Sequence, residues 1–355
     1  MKILNKFKLS TSVMAALGAA ILFGGSTPFA KVLLNNISPV LLAGILYLGS
    51  GIGLMTIRLI RDHGWNNPKL PNNEWPWLLG AICFGGVLGP MLLMFGLTQT
   101  SAANASLLLN LEAVLTAVIA WVVFKENADK RIVLGMFLIV LGGVLLSWPH
   151  GQISSKGWIG SLSIAGACLC WAIDNNLTRK VSASDSFFIA GSKGMVAGIV
   201  NISLAYWLGM HLPSWTLTGT ALVCGFFGYG ISLLLFILAL RGLGTSRTGA
   251  YFSVAPFIGA AIAIVFFKED PTLLFWAALF LMGVGVWLHL TEKHEHEHIH
   301  EILFHEHTHI HDEHHQHGHD FVYDGKKSHS HPHKHERLVH SHPHYPDIDH
   351  MHKHS

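Results

Sequence analysis

The feature that most restricts this chain is the length of its apolar stretches between residues 1 and 290. Only nine aspartates and glutamates fall between Met1 and Leu290, whereas a water-soluble domain has about a quarter of its residues charged. A bilayer-spanning helix needs about 20 mainly apolar residues. Ten such stretches can be drawn: 11–32, 39–60, 75–97, 102–124, 131–149, 157–178, 186–208, 216–239, 246–267 and 271–290. The links are short, so no soluble domain fits before residue 291. The expected class is an all-α polytopic membrane protein with ten transmembrane helices.

Orientation follows from lysine and arginine. With the N-terminus in the cytoplasm, the inner flanks hold 14 of these residues: Lys2, Lys6, Lys8, Arg58, Arg61, Lys69, Lys125, Lys130, Arg131, Arg179, Lys180, Arg241, Arg247 and Lys293. The outer flanks hold three: Lys31, Lys156 and Lys268. Positive residues stay on the cytoplasmic side, so both termini are expected there, in a cell inner membrane. The basic start resembles a signal peptide, but its apolar run is too long and further spans follow, so it reads as an uncleaved first helix. Cys83, Cys168, Cys170 and Cys224 all lie in apolar stretches and suggest no disulfide framework. The near-neutral charge implies no nucleic-acid partner. Membrane lipid is the expected surrounding. The oligomeric state is not encoded in any motif.

The chain contains an internal repeat. Residues 113–126 read AVLTAVIAWVVFKE and residues 256–269 read PFIGAAIAIVFFKE. A helix with glycine pairs follows each, at Gly142 and Gly143 and at Gly283 and Gly285. Phe23–Lys31 aligns loosely with Trp171–Arg179. Each half holds five spans, an odd number, so the halves enter the membrane from opposite sides. Inverted repeats of this kind are a common device of secondary transporters. The expected organisation is residues 1–149 as the first five-helix repeat, 150–290 as the second, and 291–355 as a disordered histidine-rich cytoplasmic tail.

On these features, over about residues 10–290, the chain resembles the drug/metabolite transporter superfamily and, within it, the EamA-like family. The resemblance rests on the ten spans, the two halves, and the pattern of small residues, an apolar run, Lys-Glu and a glycine-containing helix. These stretches are Ser101–Glu126 with 131–145, and Gly244–Glu269 with 272–287. The family's proline in the fourth helix of each half corresponds to Pro256 in the second half and to Ala113 in the first. The slot of its common arginine is occupied near Tyr47 and near Lys193. The resemblance implies transport of small metabolites or toxic compounds, usually outward.

Six residues form the expected substrate or proton pathway: Glu112, Asp174, Lys193, Trp171, Asn175 and Pro256. A charge at mid-membrane costs about 3 kcal/mol on insertion scales. Glu112 therefore faces a partner or a wet cavity, or stays protonated and packs. Asp174 and Lys193 sit near the same end of neighbouring antiparallel spans, where they would meet as an inner gate or a structural pair. Cys170 lies one helical turn from Asp174. Pro90 and Pro256 are expected to kink their helices and free backbone carbonyls. No nucleotide motif is present, so neither an ATP-driven pump nor an enzyme is expected, and no cofactor is required.

The tail is a different material. Of the chain's 26 histidines, 22 lie in residues 294–355. The expected ligands for labile Zn, Ni, Co or Cu are His294, His296, His298, His300, His305, His307, His309, His311, His314, His315, His317 and His319. Imidazole suits these metals, and the repetitive composition suits several labile sites better than one fixed site. Three functions remain open: a metabolite or drug exporter, a divalent-metal exporter fed by the tail, and a membrane metal sensor or store. The isolated segment 294–355 should bind several Zn or Ni ions weakly in a calorimetric titration. Affinity should fall as pH drops below about 6.5, because protonated imidazole is no ligand. Affinity independent of pH over that range would rule out imidazole ligation.

Overall fold

In the computed structural model of the protein, residues 11–68, 70–124, 130–148, 155–291, 295–300, 304–309, 329–334 and 338–343 are described. Among these, nine helices are long and apolar enough to cross a bilayer. The first two spans are α1 (Thr11–Leu33) and α2 (Pro39–Arg61). The third joins α3 (Trp75–Ala81), a π-helical turn at Ile82–Leu88 and α4 (Gly89–Gln99). The fourth joins α5 (Ala102–Leu108) and α6 (Leu111–Phe124), and the fifth is α7 (Lys130–Ser147). The sixth expected span is α8 (Ser155–Val181). Its 27 residues reach about 40 Å, but Asp174, Asn175, Asn176 and the terminal Arg179 and Lys180 make it less apolar than the rest. The seventh span is α9 (Ser186–Trp207). The eighth begins with α10 (Trp215–Gly225) and a second π-helical turn at Phe226–Ile231. Next, α11 (Ser232–Phe252) completes the eighth span and enters the ninth, α12 (Ala255–Phe267) finishes the ninth, and α13 (Leu273–Leu290) is the tenth.

The packing obeys the repeat. The first span lies against the eighth and ninth, and the sixth lies against the third and fourth. The second and seventh spans pack on each other, as do the fifth and tenth. Exchanging the halves therefore leaves the neighbour pattern unchanged, as a two-fold axis in the membrane plane requires. Irregularities repeat as well: spans three and eight each carry a π-helical turn, and spans four and nine are each interrupted.

The two interruptions have different causes. At the first, Asn110 donates its side-chain amide to the Leu107 carbonyl at 3.1 Å, and the Asn110 and Glu112 N–H groups bond three residues back instead of four. At the second, Pro256 occupies the first turn of α12, where its missing N–H is least costly. Ser253, just before it, turns its hydroxyl to the Gly249 carbonyl at 2.8 Å. The fourth span, expected as one helix, is thus broken near its middle without a proline.

Lipid chains drive no hydrophobic association between helices, so small residues set how closely they approach. At the crossing of α2 and α9 a side-chain carbon added to Gly194 would lie 2.7 Å from Gly51 Cα, and one on Gly198 would lie 2.7 Å from Leu48 Cα. Outside the membrane the same two helices are tied by Asp185. Its carboxylate caps Phe187 N at 3.0 Å and accepts from Arg58 Nε at 2.8 Å and Arg61 Nη2 at 3.0 Å. Burial alone would raise the Asp185 carboxyl, but the two guanidinium groups outweigh it and hold it below its usual range. The stabilisation is present above the ordinary carboxylate range and is lost as pH falls through the depressed value.

Four short strands lie within residues 291–355, the segment expected to be disordered. The strand β1 (Glu295–His300) pairs antiparallel with β4 (Leu338–Pro343), and β2 (Phe304–His309) with β3 (His329–Lys334). The register sets His298 opposite His340 and His307 opposite His331.

The crossing of α2 and α9 makes a stability prediction. Gly51→Val should destabilise the protein by about 1–3 kcal/mol, since an added side chain meets backbone that cannot yield. Gly219→Ala, with no atom within 4 Å of the added carbon, should be nearly silent. Thermal unfolding of the two purified variants in detergent checks this. Equal midpoints would remove the close crossing as a stability determinant.

Candidate functional site

The site is built around a carbonyl that its own helix cannot satisfy. In the π-helical turn Ile82–Leu88, the Gly89 N–H donates to Phe84 O. The next donor that could serve Gly85 O would come from residue 90, which is proline and has no N–H. Gly85 O instead accepts from the Tyr47 hydroxyl at 2.7 Å and from Trp171 Nε1 at 3.0 Å. One residue on, Gly86 O accepts from Asn201 Nδ2 at 3.3 Å. Side chains from the second, sixth and seventh spans are thus fixed on one π-helical turn, the kind of irregularity that recurs at functional sites.

Glycine at 85 also makes room for Asp174, whose carboxyl group occupies the space a side chain there would need. Asp174 and Lys193 meet: Lys193 Nζ lies 2.6 Å from Oδ1 and 2.7 Å from Oδ2. Thr178 donates to Asp174 Oδ1 at 2.8 Å and accepts from Lys193 at 3.4 Å. Lys193 is 1 % exposed and Asp174 5 %. All three ammonium hydrogens therefore have an acceptor within the protein.

Glu112 stands in the first turn of α6, just past the interruption, where the positive end of a helix dipole favours a carboxylate. Its Oε1 accepts from Asn175 Nδ2 at 2.8 Å. Two chambers adjoin this pair. The larger encloses about 470 Å³ of empty space and is lined by Tyr47, Trp171, Asp174 and Lys193 among others. The smaller, about 350 Å³, lies between the fourth and ninth spans and is lined by Asn110, Thr116, Ser253 and Pro256 among others. Glu112, Asn175, Phe23, Phe236 and Phe252 border both.

The structure therefore brings Glu112, Asp174, Lys193, Trp171 and Asn175 to one chamber and Pro256 to the next. Cys170 lines neither. Asn110, two residues from Glu112 and so expected on another face, shares the smaller chamber with it because the helix is interrupted between them. The aromatic wall is what the sequence did not reveal. Phe23 packs edge-on to Trp171 at 5.6 Å and to Tyr229 at 5.8 Å, and lies 5.4 Å from Phe252. Tyr229 in turn is 5.4 Å from Tyr47. The loose alignment of Phe23 with Trp171 was the available signal, for these repeat partners touch.

One end of the bundle is fastened. There Lys268 takes a left-handed conformation (φ 53°) at the close of α12. That turn sends the Glu269 carboxylate to the start of α5, where it accepts from Ala102 N and Ala103 N, each at 2.8 Å. Beside it, Lys31 donates to the Leu97 and Thr100 carbonyls at the close of α4. The first, third, fourth and ninth spans are held together by these contacts.

Among the described residues, no three His, Cys, Asp or Glu side chains converge to hold a metal ion. Of the expected tail ligands, His294, His311, His314, His315, His317 and His319 lie outside the described residues. His296, His298, His300, His305, His307 and His309 are described only as strand positions.

Comparison with known proteins places this geometry. The model of the EamA-like transporter family matches twice, at residues 10–148 and 158–291, once in each half. An uncharacterized transporter of Methanothermobacter thermautotrophicus is 30 % identical over 287 residues, covering 76 % of this chain and 83 % of the relative. The uncharacterized transporter YyaM of Bacillus subtilis is 28 % identical, covering 76 % and 90 %. The uncharacterized inner membrane transporter YedA of Escherichia coli is 22 % identical, covering 81 % and 94 %. A solved crystal structure shares the fold with a TM-score of 0.61 at 17 % identity, over 79 % of this chain and 95 % of that one.

The Glu269 fastening makes a prediction. Glu269→Ala removes two charge-assisted caps at the start of α5 and should cost about 1–2 kcal/mol locally. Ala105, fully buried in α5, is replaced by cysteine in a background lacking the four native cysteines. Labelling of that cysteine by a maleimide should accelerate about tenfold in the Glu269→Ala background. An unchanged labelling rate would mean that Glu269 does not hold this end closed.

Proposed function

The chain belongs to the EamA-like transporter family, and on that premise we propose that it exports a small organic solute, with Glu112 as the group that takes either a proton or the cargo. The observation that carries this reading is the position of Glu112. It is a carboxylic acid within a bilayer-spanning helix, bonded among the described residues only to a neutral amide, and it borders both chambers. An ionisable residue in that setting is functional by default, because lipid offers nothing to stabilise its charge. The pair Asp174–Lys193 holds the adjacent helices while leaving Glu112 as the group free to change its charge.

Alternating access follows from the repeat. The step of 143 positions that carries Glu126 to Glu269 carries Ala102 and Ala103 to Thr245 and Ser246. Glu126 and Glu269 are therefore repeat partners in the sequence. Glu126 lies outside the described residues. Rocking of one half against the other is the motion that such inverted repeats permit. Placing both termini and the tail in the cytoplasm of an inner-membrane protein rests on the lysine and arginine bias, which a reporter fused after Leu290 reads directly.

The divalent-metal exporter draws support from the tail histidines but not from the chambers. Both Asp174 oxygens are engaged by Lys193, so a metal there would find one free carboxylate, with only neutral amide and hydroxyl oxygens beside it. Divalent cations ordinarily take four to eight ligands. The tail is accordingly read as a cytoplasmic store of labile Zn, Ni, Co or Cu, separate from the transport step.

A deletion strain complemented with wild-type or Glu112→Gln chain separates these readings. Screened against organic toxicants and metal salts, wild type should restore tolerance to an organic compound, and the Gln variant, at equal membrane abundance, should lose at least about tenfold of it. Restored metal tolerance alone would favour the metal exporter. Metal binding without any Glu112-dependent efflux would favour the sensor or store.

A further inference from the structure

We infer that the larger chamber takes an organic cation, an amine or quaternary ammonium carrying an apolar or aromatic group, with its charged head between Glu112 and the rings of Phe23, Tyr47, Trp171, Tyr229 and Phe252. The inference rests on the transport-site reading above and deepens it by naming the cargo's chemistry.

The first argument is charge. Three ionisable groups other than tyrosine line the larger chamber: Glu112, Asp174 and Lys193. Asp174 and Lys193 cancel through a two-oxygen contact. What remains is Glu112, whose charge when ionised has no unpaired opposite charge in the chamber lining to meet it. A buried carboxylate without a counter-charge is costly, so the ligand that best completes the chamber is positive.

The second argument is donor supply. A substrate carboxylate or phosphate needs cationic or N–H donors. Lys193 has its three hydrogens on Asp174 Oδ1, Asp174 Oδ2 and Thr178 Oγ1. Trp171 Nε1 and the Tyr47 hydroxyl are spent on Gly85 O. Asn175 donates to Glu112. The Ser232 hydroxyl goes to Ala19 O. Tyr229, whose hydroxyl has no partner among the described residues, offers an anion a single neutral donor, while Glu112 offers a cation a charged acceptor.

The third argument is shape. Phe23 lies with its ring 5.4 to 5.8 Å from those of Trp171, Tyr229 and Phe252, and Tyr47 joins through Tyr229. An ammonium is attracted to aromatic faces within about 6 Å, and clustered rings recognise quaternary ammonium groups. Phe23, Tyr47, Trp171, Tyr229 and Phe252 all line this chamber. A bare metal ion does not use the rings.

The test uses the purified full chain in lipid nanodiscs. Radiolabelled phenyltrimethylammonium is the probe, and tetraphenylphosphonium, benzyldimethylamine, neutral tert-butylbenzene and benzoate are the competitors. Saturable binding should appear, displaced by the two other cations and at least about tenfold less well by tert-butylbenzene or benzoate. Glu112→Gln, which keeps the size and an acceptor for Asn175, should weaken binding about a hundredfold, and Glu112→Asp should retain part of it. Phe252→Leu should weaken it about fivefold and Phe252→Tyr should restore it. Thermal midpoints near wild type verify that the variants are folded. Competition by tert-butylbenzene or benzoate equal to that of the cations, or no Glu112-dependent binding of any of the three cations, overturns the proposal. The same protein in proteoliposomes separates the two readings. Glu112-dependent flux of another solute without cation binding rejects the cation assignment alone, and cation binding without flux rejects the transport reading alone.

Discussion

A lysine that is 1 % exposed inside a membrane bundle stays charged only if acceptors replace the water it has lost. Lys193 has three, and two belong to Asp174. The rest of the site depends on this pair. It fits only because residue 85 is glycine, and it neutralises a charge that would otherwise dominate the chamber. In the proposed reading it also leaves Glu112 to set what the chamber attracts. Removing one partner of such a pair strands a buried charge, at a cost of about 3–5 kcal/mol.

Around that pair the architecture uses irregular backbone where it lines a cavity, the one place lipid-embedded proteins tolerate it. The π-helical turn and Pro90 leave Gly85 O open, and two aromatic side chains take it up. The break before Glu112 puts a helix start near mid-membrane, and Pro256 does the same in the other half. Because the halves are inverted, each device at one end implies a partner at the other. Glu269, capping the start of α5, joins the second half to the first.

The ten spans were legible because membrane thickness fixes their length and lipid fixes their composition. The repeat was legible because Phe-Lys-Glu recurs with its apolar run. The meeting of Asp174 and Lys193 was legible for a similar reason: two opposite charges on adjacent spans have few other ways to be neutralised. The interruption at Leu109–Asn110 was not, because an asparagine that bonds back to Leu107 leaves no proline to mark it. The aromatic wall was hidden because Phe23, Tyr229 and Phe252 in apolar helices read equally well as lipid-facing. Glu269 appeared as part of a repeat and not as a cap, since its bond to Ala102 and Ala103 joins opposite halves of the chain.

The central claim is that one carboxylate, Glu112, exchanges a proton for a positively charged cargo. Proton release on binding measures it most directly. Full-length protein in weakly buffered solution, at several starting pH values, is mixed with phenyltrimethylammonium while a pH indicator is followed. The account predicts acidification that saturates with binding and disappears in Glu112→Gln. Binding with no proton released, or the same release from the Gln variant, would contradict it.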